Sequence, residues 1–136
     1  MSVVVAYAPT PEGRAALARA GDECRLRHTG LVIVKSAANR LPDGVAAEDY
    51  EAELDQACRD LEASDVHCEV RDVGGDAPPA EDLLAVATQT SAEVIVIGLR
   101  RRTPVGKLLL GSNAQRILLD AQCPVLAVKA DVAAGS

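Results

Sequence analysis

Short apolar runs rich in β-branched residues alternate along the chain with longer segments whose apolar residues repeat at helical spacing. Residues 3–7, 31–34 and 94–97 carry no charge and end at polar or turn-forming breaks, which predicts three strands buried on both faces. After the first run, Thr10 can cap a helix with Pro11 at its first position, where a missing N–H costs nothing. Ala16, Ala20 and Cys24 give that helix a stripe of small residues, with Leu17 beside it, and the helix ends before Gly30. Residues 35–47 are polar and contain Pro42 and Gly44, as a loop would. From 47 to 62, Tyr50, Leu54, Cys58 and Leu61 recur at helical spacing while carboxylates crowd the opposite face. Val66, Cys68 and Val70 alternate with His67, Glu69 and Arg71, the pattern of a half-exposed strand at a sheet edge. Gly74 and Gly75 break the chain. Pro78 and Pro79 open a helix whose inner face is Leu83, Leu84 and Ala87. A loop from Gly98 to Gly111 leads to a helix from Ser112 to Asp120, and residues 124–129 form the last strand.

Five strands alternating with four helices predict an α/β fold: a doubly wound parallel sheet with right-handed crossovers and helices on both faces. In such sheets ligands bind beyond the carboxyl ends of the strands, where strand order reverses. If the first and fourth strands are central neighbours, the loop after Tyr7 faces the loop after Ile97. The chain's 136 residues suit one domain, expected to span 1–130, with 131–136 as a flexible tail.

Composition sharpens this picture. Apolar residues make up 49% of the chain, yet Trp and Phe are missing and Tyr7 and Tyr50 are its two tyrosines. The core is therefore built from Val, Ile, Leu and Ala, which suits helices layered on a sheet. So few aromatic faces argue against single-stranded nucleic-acid platforms, and the net charge of -6 argues against nonspecific duplex binding. No run approaches the roughly 20 apolar residues of a membrane span, and no signal segment is visible, so a cytoplasmic protein without membrane or nucleic-acid partners is expected. The cysteines, Cys24, Cys58, Cys68 and Cys123, form no CxxC pair. Cys24 and His28 stand four apart and His67 precedes Cys68, but the paired spacing of zinc sites is missing; buried, reduced thiols and no metal are expected.

The charge is unevenly placed. Residues 43–93 hold fifteen carboxylates against Arg59 and Arg71, whereas 94–119 hold none and contain Arg100, Arg101, Arg102, Lys107 and Arg116. A strand end, a glycine-bounded basic loop and a helix N-terminus together describe an anion site, since free N–H groups and the helix dipole favour negative charge there. Ser112 with Gln115 also spells a capping box, compatible with such a site. Gly106-Lys107 does not complete a Walker loop: the preceding glycine is Gly98, and Leu108 stands where Ser or Thr would hold magnesium. His28 and His67 lie far from this loop in the topology, so no nucleophile–base pair is formed and no catalytic residue is expected.

Gly98-Leu99-Arg100-Arg101, nine residues, then Gly111-Ser112 resembles the nucleotide loop of the universal stress protein family, Gly-x2-Gly-x9-Gly-Ser/Thr. The resemblance extends to the opening strand, the acidic second helix, the strand ending at Gly98, and the closing segment 123–129. It implies strand order 3-2-1-4-5, a homodimer through the last strand, and a stress-response regulator that binds ATP or AMP, with Mg2+ accompanying ATP. The implied nucleotide-binding residues are Pro9, Thr10 and Pro11 flanking adenosine, Ser36 at the base, and Ile97, Gly98, Arg101, Gly111, Ser112 and Asn113 around the phosphates. Two departures stand out. Arg101 replaces the second motif glycine, adding bulk but also a guanidinium that can clamp phosphate. Ala8 stands in the segment where many members carry an aspartate. An interaction module of the same fold that binds no nucleotide is the alternative reading, and a weak nucleotide hydrolase is a third.

Overall fold

A computed structural model describes residues 1–35, 41–73, 77–99 and 111–130. The glycine pair 74–75, the basic loop from Arg100 through Lys107, and the expected tail at 131–136 lie outside the described residues. The elements run β1 Ser2–Tyr7, α1 Pro11–Arg27, β2 Gly30–Lys35, α2 Ala47–Ala63, β3 Cys68–Asp72, α3 Pro79–Gln89, β4 Ala92–Leu99, α4 Ser112–Asp120 and β5 Val125–Lys129. The sheet is wholly parallel, in the order β3-β2-β1-β4-β5.

β1 lies at the centre, with Val4 flanked by Val32 on β2 and Ile95 on β4. Because successive side chains point to opposite faces, β1 feeds two cores. Val3, Val5 and Tyr7 pack with Ala16, Ala20 and Cys24 of α1 and with Tyr50, Leu54 and Leu61 of α2. Val4, Ile95 and Ile97 pack with Ala80, Leu83, Val86 and Ala87 of α3 and Ile117 of α4. Each fully buried Val or Ile stabilises the fold by about 1.5–3 kcal/mol, so a core without Phe or Trp suffices at this size. The small stripe on α1 lets that helix lie close over β1. Gly13, buried in its first turn, leaves no room for a side chain: a Cβ there would stand 2.1 Å from the Ala8 carbonyl oxygen. Tyr50 ties α2 to the sheet by donating its hydroxyl to the Tyr7 carbonyl at 2.6 Å, and the two rings stack with centroids 5.7 Å apart.

Two expectations are corrected here. Cys58 on α2 and Cys68 at the start of β3 form a disulfide, with Cα atoms 5.5 Å apart, rather than remaining reduced. The chain folds α2 back over the edge strand and brings together two cysteines that no local motif pairs. Cys24 is a free buried thiol, as expected, and Cys123 is free and half-buried. The edge strand also begins later than the alternation suggests, at Cys68, with Val66 buried in the turn before it.

Candidate functional site

The carboxyl ends of β1 and β4 lie side by side, and three helices begin around them. A cavity of about 250 Å³ opens there, walled by Tyr7, Ala8, Thr10, Glu12 and Gly13 on the β1–α1 side. Ile97 and Gly98 close it on β4, Pro79, Ala80 and Leu83 on α3, and Asn113, Ala114 and Ile117 on α4. This is the reversal point of the strand order, flanked by β2 on one side of β1 and β4 on the other.

The three helix starts differ in how the protein answers their dipoles. At α1, Thr10 sits in extended conformation and its hydroxyl accepts the Gly13 N–H at 3.0 Å, with Pro11 at the first position and Glu12 in the first turn. At α3, Glu81 and Asp82 occupy the first turn, and the Asn113 side-chain oxygen accepts the Ala80 N–H at 3.3 Å from across the cavity. Arg116 joins the same two helices through Glu81 at 2.8 Å. At α4 the N-cap is Gly111, which has no side chain to offer, the first turn holds no acidic residue, and among the described residues no side chain caps the helix. The capping box read from the sequence is therefore not formed. The chain enters the helix one residue early, so Ser112 is already helical and its hydroxyl cannot reach back as an N-cap oxygen does.

Gly98 meets a structural demand that the loop motif alone does not reveal. A Cβ at this position would stand 2.2 Å from the Glu12 carbonyl oxygen, so the strand end and the first turn of α1 approach too closely for any side chain. Among the residues expected at the site, Thr10, Ile97, Gly98 and Asn113 line the cavity. Gly111 and Ser112, the N-cap and first residue of α4, are not among the lining residues but directly precede Asn113, which is. Pro9 is buried behind the wall and Pro11 is exposed at the start of α1. Ser36 and Arg101 lie outside the described residues. The sequence reading missed Tyr7, Glu12, Gly13, Ala80 and Ala114. Glu12 matters most, because it brings an acidic residue to the wall although Ala8 stands where an aspartate was sought.

The titratable groups among the described lining residues are Tyr7 and Glu12. Burial pushes the Tyr7 hydroxyl well above its ordinary value, and its hydrogen bond with Glu53 pushes it further, so Tyr7 stays a neutral phenol. The arrangement is a cleft lined mainly by apolar side chains, with the first turns of α1, α3 and α4 around it.

The sequence profile of the universal stress protein family matches residues 1–129. The chain belongs to this family. A universal stress protein of Mycolicibacterium smegmatis is 44% identical over 132 residues, covering 93% of this chain and 96% of that one. Among solved structures, a universal stress protein from Archaeoglobus fulgidus is 30% identical with a TM-score of 0.74, covering 95% of this chain and 98% of its own. A universal stress protein from Archaeoglobus fulgidus in complex with dAMP is 27% identical with a TM-score of 0.68, over the same shares of the two chains. The five-stranded order 3-2-1-4-5 expected from the resemblance is the order observed.

Proposed function

We propose that this universal stress protein binds an adenine nucleotide at the junction of β1, β4 and α4, as a binding protein rather than an enzyme. The carrying observation is the α4 N-terminal turn, whose Asn113 and Ala114 line the cavity and which has no acidic residue and, among the described residues, no side-chain cap. Free N–H groups and an unanswered dipole suit a phosphate, while the apolar cavity beside them suits the nucleoside. The relative in complex with dAMP supports this ligand class. On this reading Thr10, Gly13 and Ile97 contact the nucleoside, Glu12 accepts a ribose hydroxyl, and Gly111, Ser112 and Asn113 donate backbone N–H groups to phosphate.

AMP or ATP fits this chemistry, and Arg101 is assigned as a phosphate clamp from its place in the motif. Replacing Arg101 by Gly should weaken ATP binding by about 1–3 kcal/mol, the scale of a lost charged hydrogen bond. Tighter binding by the glycine form in a calorimetric titration makes Arg101 a plug instead. The direct test of the ligand class is release: protein purified from cells and denatured should yield adenine nucleotide, identified by mass spectrometry. A chain that releases none and gives no heat with AMP or ATP is an interaction module that works without nucleotide.

Homodimerisation through β5 belongs to the same proposal. β5 pairs only with β4, so its other edge is unpaired among the described residues, and Leu119 on the adjoining α4 is 82% exposed. Light scattering at micromolar concentration should give the mass of two chains. A monomeric mass removes this part.

A further inference from the structure

We propose that Cys58 and Cys68 form a thiol–disulfide exchange site for low-molecular-weight disulfides and thiols, whose oxidation state sets how firmly α2 is held to the sheet. The pair lies away from the cavity, and its test needs no nucleotide. Both cysteines are only partly buried, so small reagents reach them. Cys24 makes the contrast: it is 1% exposed and unpaired, and burial pushes its thiol up to about 11, which leaves it inert.

The position of the bridge gives it leverage. It joins the middle of α2 to the first residue of β3, an edge strand with a neighbour on one side. On its other flank α2 is set apart from α1 by a groove of about 640 Å³ floored by Tyr7, Leu17, Gly21 and Leu61. The Arg14–Glu53 ion pair spans that groove, and Lys35 reaches Glu51 near the start of α2. Surface pairs of this kind contribute little, about 0–1 kcal/mol each. Among the described residues, further fastening comes from the apolar row Tyr50, Leu54 and Leu61, which shares the face that carries Cys58. Opening the disulfide therefore frees the middle of a helix whose first turn holds the end of β1 through the Tyr50 hydroxyl and the Tyr7 carbonyl.

The exchange balances as follows. One cysteine thiolate attacks a small disulfide, a protein–small-molecule S–S bond forms, and one small thiolate leaves. The second cysteine thiolate then attacks the protein sulfur of that mixed disulfide, closing Cys58–Cys68 and expelling the second thiolate. Two electrons pass from the protein to the small disulfide, and the two protons lost by the cysteines end on its two thiols. Reduction runs the same steps backward with two small thiols.

The chain reports this change by itself. Tyr7 and Tyr50 are its only tyrosines and it has no tryptophan, so the fine structure of the tyrosine bands in near-ultraviolet circular dichroism, read above the broad signal of the disulfide itself, reports the stacked pair at the α2–β1 junction. The wild-type chain is equilibrated in buffers of oxidised and reduced glutathione, and its thiols are alkylated and mapped by mass spectrometry. Reduction should release Cys58 and Cys68 together, change the tyrosine dichroism, and lower Tm by about 5 °C, with full recovery on re-oxidation. Cys58→Ser should show the reduced signature in every buffer, and Cys123→Ser should keep the wild-type response. Three results overturn the proposal: both cysteines alkylated after incubation with the disulfide, a bridge that thiols open only in denaturant, or dichroism and Tm that ignore the redox buffer. The wild-type series decides the matter even if a serine variant fails to fold.

Discussion

Helices α1 and α4 both begin at the carboxyl end of the sheet, yet the described residues cap and charge one start and not the other. α1 has Thr10 as a hydroxyl cap, Pro11 at the first position and Glu12 in the first turn, and its backbone presses against Gly98. α4 has Gly111, Ser112 and Asn113, with no acid in its first turn and no side-chain cap among the described residues, and Asn113 spends its oxygen on the start of α3. A helix start of the first kind is a structural joint. One of the second kind, on the proposed function, leaves its dipole to a bound anion. The two ends of the glycine loop motif thus differ: Gly98 admits the α1 backbone, whereas Gly111 is assigned by the proposed function to leave access to the α4 N-terminus.

Substitutions can break this contrast in order of expected size. Gly98→Val should cost about 3 kcal/mol or more, because its side chain must displace the Glu12 backbone rather than a mobile group. Thermal denaturation checks it, and a change below about 0.5 kcal/mol would mean that the joint yields easily. Gly111→Val should do the reverse. Gly111 has φ −68 and ψ 163, a conformation open to any residue, so stability should hold. Nucleotide affinity should fall at least tenfold, as a side chain enters the approach to the first turn. Thr10→Ala should lower stability by about 1 kcal/mol through loss of the cap and change affinity less than Gly111→Val does. Denaturant unfolding paired with AMP titration separates the two effects.

Most of the fold was legible because its signals are local. Residues 3–7, 31–34 and 94–97 are apolar at every position, which only a central strand of a covered sheet tolerates, and all three are central strands. Thr10 and Pro11 state the start of α1 within two adjacent residues. The place of the candidate site, at the ends of β1 and β4, was legible through Gly98 and the start of α4, but not its detail. Ser112 and Gln115 have capping-box spacing, yet the box depends on which residue first turns helical, and here Gly111 takes the N-cap position. The Asn113 contact to Ala80 joins residues 33 apart in sequence, and the Tyr50 bond to Tyr7 joins residues 43 apart. Cys58 and Cys68 meet only because α2 folds back over β3. Contacts of this kind follow from tertiary packing and have no motif.

The claim that α4's open N-terminus is a phosphate site has a direct test in Ser112→Asp. A carboxylate at the first helical position answers the dipole from within, stabilising the helix by about 0.3–1 kcal/mol, and it opposes an incoming anion. Calorimetric titration of AMP into both forms is the measurement. The wild-type chain should bind, and the variant should be equally or more stable yet bind about tenfold more weakly. Equal affinity in the two forms, or no binding by the wild-type chain, would contradict the account.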